Sequence, residues 1–276
     1  MSALVSHTLS FHRLRLTFQA EDPLSFGNMA ANTLRGAFGY ALREAAAGEF
    51  QSIFSPGATA PHPSGLADLP RPFVFRSRHL DGVAIEAGQE FHFDVHLFPP
   101  LADTFTAAFR IMGQRGVGPE RSRLLLRSGE SHPHTLSLAP APTAIEAIAV
   151  DFLTATELKS DAQPAPEPLF PILFARVRDR IATLASLYGP CPLEIDFRGM
   201  GERAAAIRMT ASDLQRREVT RRSSRTGQRH SIGGFSGHAE YEGPLAEFMP
   251  WLQAAAFTGV GRQTTWGKGE IRVRVR

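Results

Sequence analysis

Three features of this 276-residue sequence predict an α+β fold made of two halves of like order. Segments with period-two apolar alternation are interspersed with segments of helical period. A helix, Gly-x-Gly, strand succession occurs twice, which is economically explained as an internal repeat. Each half reads as strand, helix, two strands, helix, strand, the split βαβ order of tandem ferredoxin-like (RRM-like) domains. The expected boundaries are 1–140 and 141–276, the second domain ending in a glycine-rich loop.

In the first half, residues 9–18 read as a strand with Leu14, Leu16 and Phe18 on one face and Arg13, Arg15 and Thr17 on the other. A helix over 28–47 follows, because Leu34, Ala37, Phe38, Ala41 and Leu42 recur at spacings of three and four. Asn28 or Ser25 is its expected cap, and Arg35, Tyr40, Arg43 and Glu44 fall nearer the opposite side. Residues 55–72, crowded with Pro, Gly, Ala and His, predict a long surface loop, and Phe73 to Arg76 re-enters a sheet. From Glu90 to Phe98, Phe91, Phe93, Val95 and Leu97 point one way and His92, Asp94 and His96 the other. Two histidines flanking an aspartate invite a metal reading. Same-face neighbours on a strand stand ~7 Å apart, too far for a compact site without further ligands, so a solvated face is expected and no metal is assigned.

Asp103 opens the next helix, with Phe105, Ala108, Phe109 and Met112 inward; Gly113, Gly116 and Gly118 make the turn into a strand over 121–127. The second half repeats the order. Its strand covers 144–152, and its first helix covers 169–188 with Leu169, Leu173, Val177, Ile181, Leu184 and Leu187 inward. Residues 193–197 and 204–209 are expected to pair as a hairpin. Leu245, Phe248, Met249 and Leu252 form the last helix stripe, Gly259 and Gly261 the turn, and 270–275 the final strand.

A hydrophobic content of 43% suits two cores, no apolar run reaches membrane-spanning length, and the first ten residues lack a secretory layout. A cytoplasmic protein is expected. Cys191 is the only cysteine, which excludes an internal disulfide and any zinc site needing two thiolates. The net charge of +3 comes almost wholly from arginine, Lys159 and Lys268 being the only lysines. Guanidinium groups grip phosphate bidentately and stack on bases, but a GC-rich genome writes the same composition, so position is more informative than amount.

Two segments concentrate chemistry. RREVTRRSSRTGQR, 216–229, sets Arg216, Arg217, Arg221, Arg222, Arg225 and Arg229 against one acid, Glu218, with His230 at its edge. Such a run grips a phosphate backbone or forms a solvated charged loop. GVGRQTTWGKG, 259–269, brackets Arg262 and Lys268 with Gly259, Gly261, Gly267 and Gly269, so that backbone amides can approach phosphate closely. These glycines follow a helix and lead into a strand, the wrong order for a Rossmann or Walker nucleotide site.

On these residues the chain resembles the CRISPR-associated precursor-crRNA processing endoribonucleases of the repeat-associated mysterious protein (RAMP) superfamily. The resemblance rests on LRGAFGYALR (34–43), RPFVF (71–75), GGFSGHAEYEGPL (233–245) and the glycine-rich end, 259–269. Where relatives carry Arg-Tyr-Ser-x-Arg-Gln, residues 221–228 lack the tyrosine and differ in spacing. The resemblance implies metal-independent cleavage of CRISPR repeat RNA to crRNA, the ribose 2′-hydroxyl attacking its own phosphate to leave a 2′,3′-cyclic phosphate. It implies no cofactor and no membrane, with repeat RNA, crRNA and other CRISPR effector subunits as partners. Tyr40, Arg35 and His230 are the catalytic candidates. Arg43, Arg216, Arg217, Arg221, Arg222, Arg225, Arg229, Gly259, Gly261, Arg262, Gly267, Lys268 and Gly269 are the RNA-binding ones. A non-cleaving crRNA-binding subunit of an effector complex is the alternative reading.

Overall fold

A computed structural model describes residues 7–56, 69–160, 163–217, 220–222, 229–231 and 233–276, with side chains at all of these except 217, 220–222 and 229–231. The first half runs β1 (Thr8–Ala20), β2 (Leu24–Ser25), α1 (Ala30–Ala45), α2 (Ala47–Phe54), β3 (Phe73–Arg76), β4 (Ala84–Ile85), β5 (Glu90–Leu97), α3 (Ala102–Arg115) and β6 (Leu124–Ser137). Its sheet has the order β3-β5-β1-β6, antiparallel throughout. The second half runs β7 (Ala147–Thr156), β8 (Lys159–Ser160), β9 (Gln163–Pro164), α4 (Phe170–Tyr188), α5 (Phe197–Ala204), β10 (Arg208–Arg217), β11 (Thr220–Arg222), β12 (Arg229–Ser231), β13 (Gly234–Glu242), α6 (Met249–Thr258) and β14 (Ile271–Val275). Its sheet order, β10-β13-β7-β14, repeats the first with the same role for each strand, so the fold is α+β and ferredoxin-like in both halves.

Period-two alternation puts Leu14, Leu16 and Phe18 of β1 and Phe91, Phe93 and Val95 of β5 on one face of the first sheet, where α1 and α3 cover them. Phe38 of α1 sits at the centre, its ring 4.8 Å from Phe105, 4.5 Å from Phe109 and 5.9 Å from Phe73. In the second half, Ile148, Val150 and Phe152 of β7 meet Leu173, Val177 and Ile181 of α4 and Leu252 of α6.

Several expectations are corrected. Neither Asn28 nor Ser25 caps α1; Asp81, remote in sequence, accepts the Ala30 amide at 2.8 Å instead. Leu169 lies just before α4 and is 46% exposed. The expected hairpin of 193–197 with 204–209 does not form. Asp196 accepts the Gly199 amide at 2.8 Å and starts α5 there, and β10 pairs with β13. The solvated face expected for His92, Asp94 and His96 holds only in part. Asp94 bridges Arg13 and Arg15 at 2.6 and 2.9 Å, but His96 is buried between the halves. Most of the expected 55–72 loop lies outside the described residues. Among the described residues, no helix is long and apolar enough to cross a membrane.

The halves meet through Phe11, Val74 and Phe98 on one side and Leu184 and Phe257 on the other. Polar groups fix the register. Arg76 of β3 donates from Nη2 to the carbonyls of Ala256 and Phe257 at 2.8 and 3.1 Å, and His96 of β5 donates from Nδ1 to Phe257 at 2.9 Å. Arg180 of α4 donates from Nε to Thr258 at 2.8 Å. Burial, with the Arg76 charge beside it, pushes the His96 imidazole down to about 3. An unfolded histidine takes its proton near 6.5, so the unfolded state binds more protons between those limits. The stability contributed by neutral His96 is therefore complete above ~6.5 and is lost as pH falls, by up to ~1.4 kcal/mol per pH unit. Urea unfolding of wild type and His96→Gln from pH 7 to pH 5 should show this slope in the first and a flatter one in the second; equal slopes would mean that His96 carries no such linkage.

Candidate nucleic-acid interface

The carbonyls held by Arg76, His96 and Arg180 are the last three of α6, so these contacts fix where the 259–270 loop begins. The loop closes on itself through Val260 N–H to the Gly269 carbonyl at 2.9 Å, and Arg262 N–H bonds the Glu157 carbonyl at 3.1 Å. Gly269 has φ +68°, and a Cβ there would run into the Val260 carbonyl oxygen. Gly267 also has positive φ, +77°, and a Cβ there would stand 2.6 Å from Cβ of Ala31 on α1. Glycine thus lets the loop touch the first half directly. Gly116 and Gly118, with φ +85° and +79°, occupy the corresponding place after α3.

Beside that contact, Arg35 lies with its guanidinium carbon 5.2 Å from the Trp266 ring centroid and 5.2 Å from that of Phe54. Arg35 is the catalytic candidate that the structure brings to the loop. Tyr40, five residues on and ~140° round the helix, is 69% exposed, and Arg43 rests over Phe50 at 4.6 Å. Arg262 is half engaged, its Nη1 donating to Glu157 at 2.7 Å. Lys268 is only 2% exposed; its Nζ donates to the Gly233 carbonyl at 2.7 Å and to Gln263 Oε1 at 3.0 Å. Burial lowers its ammonium to about 8. Its position is that of an internal brace between the loop and the start of β13.

The basic run continues the second sheet as an arm. Arg216 and Arg217 end β10, paired with Phe235 and Gly234, and β11 pairs with β12 so that Arg221 faces His230 and Arg222 faces Arg229 in the ladder. Arg216 is exposed. The side chains of Arg217, Arg221, Arg222, Arg229 and His230 and the whole of Arg225 lie outside the described residues. The arm is rooted at Gly233, the residue that Lys268 holds, so the arm and the loop share one anchor.

Other arginines are locally neutralised. Arg272 and Arg274 of β14 pair with Asp151 at 3.0 and 2.9 Å, and His238 lies between Asp151 and Glu240 at 2.9 and 3.2 Å, which raises its imidazole. Sequence reasoning assigned no role to Arg71, Lys159, Arg176 or Arg180, which border a cleft along the loop, nor to Trp266. The only signal for the α4 pair was the alternation of arginines in ARVRDRI. Among the described residues no cluster of three metal-ligating side chains occurs.

No curated protein matches the chain in sequence. Residues 9–144 match the family described as AF_1859_N, N-terminal domain, and residues 150–271 match CRISPR-associated endoribonuclease Cas6. Among solved structures, Thermus thermophilus Cas6 (TTHB231) superposes with a TM-score of 0.59 at 16% identity, covering 97% of this chain and 99% of that one. A Cas6 (TTHB231) product complex gives 0.65 at 19% identity, covering 96% and 99%. A Cas6-RT-Cas1–Cas2 complex gives 0.59 at 13%, covering 98% of this chain and 29% of that one. These likenesses show the fold; the match over the second half goes further, and identifies residues 150–271 as a domain of the CRISPR-associated endoribonuclease Cas6 family.

Proposed function

We propose that the chain cleaves CRISPR repeat RNA to crRNA without a metal ion, with the scissile phosphate at the junction of α1 and the 259–270 loop. The observation that carries this reading is Arg35 of α1 lying against Trp266 of a loop whose glycines allow close backbone approach. In the reaction the ribose 2′-oxygen forms a bond to phosphorus as its proton leaves. The bond from phosphorus to the 5′-oxygen breaks, and that oxygen takes up a proton. A 2′,3′-cyclic phosphate and a 5′-hydroxyl result. The phosphorane in between carries extra negative charge, which a fixed guanidinium and loop amides stabilise without reorganisation. Arg35 supplies the guanidinium.

His230 is our candidate for proton transfer, since imidazole titrates in the working pH range and the β11–β12 arm that carries it is anchored beside the loop. Tyr40 is a second candidate, with an exposed hydroxyl on the same helix as Arg35. The arginines of the arm, with Arg43 and Arg262, are assigned to the RNA backbone, and Lys268 to holding the loop in place. We place the division between the domains at 140/141 and the site of action in the cytoplasm. The partners are repeat RNA, its crRNA product and, on the likeness to the Cas6-RT-Cas1–Cas2 complex, other CRISPR proteins.

Purified protein in EDTA should cut a labelled repeat RNA and leave uncut the same RNA with a 2′-deoxy nucleotide at the scissile position. Tight, salt-sensitive binding with no cutting of any repeat would instead make the chain a crRNA-binding subunit. Arg35→Ala should lower kcat by about 10²–10³-fold while changing RNA affinity far less, as expected for a group that acts mainly in the transition state. An Arg35→Ala variant with wild-type kcat and weakened binding would remove Arg35 from the chemistry.

A further inference from the structure

Between the 259–270 loop, α4 and the residues that precede β3 lies a cleft of about 520 Å³, a size that suits one nucleotide. We propose that this cleft is a subsite for a single nucleotide of the bound RNA, with the phosphate held by Arg176, Arg180 and Lys159. The proposal rests on the RNA-cleaving reading above and adds to it a contact away from the Arg35 junction.

The charge balance of the lining points to an anion. Two carboxylates border the cleft, and both are already engaged: Glu157 by Arg262 at 2.7 Å, and Asp179 by Arg176 and Arg178 at 3.0 and 2.8 Å. Five cations border the same space, Arg71, Lys159, Arg176, Arg180 and Arg262, leaving it positive. Arg180 is the most telling. Its Nε is committed to the Thr258 carbonyl, while its Nη2 is covered from solvent and has no hydrogen-bond acceptor among the described residues. Its guanidinium pairs with no carboxylate among the described residues and is repelled by Arg76, so that burial holds it down to about 9, still charged at neutral pH. A covered donor on an uncompensated cation is costly, and a phosphate oxygen supplies both the acceptor and the charge it lacks.

The rest of the wall fits a nucleoside. Leu69, Pro70 and Trp266 give the apolar surface that a base needs, and Thr264 and Thr265 add hydroxyls. Trp266 also carries Arg35 over its ring, so one side chain borders both the cleft and the proposed scissile centre. A free mononucleotide is the weaker occupant, because the two carboxylates available to its ribose are both held by arginine.

The test is a scan of repeat RNA in which one phosphate at a time is replaced by a neutral methylphosphonate after a 2′-deoxy nucleotide, with the scissile ribose also 2′-deoxy. Binding is read by fluorescence anisotropy for wild type, Lys159→Ala, Arg176→Ala and Arg180→Gln. At one phosphate, neutralisation should weaken wild-type binding about tenfold and cost Lys159→Ala and Arg176→Ala much less, because the variants have already lost that contact. Lys159→Ala and Arg176→Ala keep the test decisive if Arg180→Gln disturbs the end of α6. Equal losses in wild type and variants at every phosphate overturn the proposal, as does micromolar binding of free nucleoside monophosphate that displaces no RNA. A coupled phosphate in RNA that wild type fails to cut in EDTA leaves the subsite standing and removes only the cleavage reading.

Discussion

The carbonyls that the end of α6 leaves without helical partners are the constraint on which the site depends. A helix end leaves its last carbonyls without intrahelical partners, and here all three acceptors are taken by side chains from other elements: Arg76, His96 and Arg180. Two of the three belong to the first half. The loop that follows α6 therefore leaves the second half from a point whose position is set by the first. Cations at a helix C-terminus are favoured by the macrodipole, which offsets part of the cost of burying two guanidiniums that pair with no carboxylate among the described residues. A domain interface made only of Phe11, Val74, Phe98 and Leu184 would exclude water but would tolerate small slips. The directional bonds to consecutive carbonyls do not.

That geometry explains why the candidate site is bipartite. The 259–270 loop is in one half by sequence, but Gly267 touches Ala31 and Trp266 meets Arg35, both on α1 of the other half. Neither half contains the juxtaposition alone. The same loop is tied to the basic arm through Lys268 and Gly233, so three regions far apart in sequence converge on one short segment. Once the exposed acids have taken their partners, the arginine excess of the whole surface is a poor guide to where RNA lies. Arg13 and Arg15 share Asp94, and Arg272 and Arg274 share Asp151. Cations crowd together in excess of acids in the arm and around the loop.

The parts of this arrangement legible in sequence are those encoded locally. The alternation in β1 and β5, the stripe of α1 and the repeated helix, Gly-x-Gly, strand order are all consequences of periodicity and of glycine's access to positive φ. What sequence reading missed is set by partners remote along the chain. His96 has the spacing of a solvent-facing strand residue, and only the second half, packing on that face, makes it buried. The cap of α1 comes from Asp81, which no local N-terminal signature announces. Residues 193–209 carry enough apolar alternation to pass for a hairpin, but Asp196 capping Gly199 commits the segment to a helix turn instead. Sequence puts Arg35 and Tyr40 alike among the catalytic candidates; the loop that docks on α1 meets Arg35 and leaves Tyr40 exposed.

The near absence of lysine acquires a structural reason at these positions, beyond genome composition. Burial depresses the charged form of any cation, and the starting value decides whether charge survives. Arg76 falls to about 10 and Arg180 to about 9, so both remain guanidinium at neutral pH. Lys268, starting two units lower and buried in the loop, falls to about 8 and stands only just above the physiological range. A lysine in place of Arg76 or Arg180 would face the same desolvation from a lower starting value, and so would hold its charge less firmly at neutral pH. The clamp on α6 thus draws on the high basicity of arginine. Of the two lysines, Lys268 stands where a compact donor to two oxygens suffices.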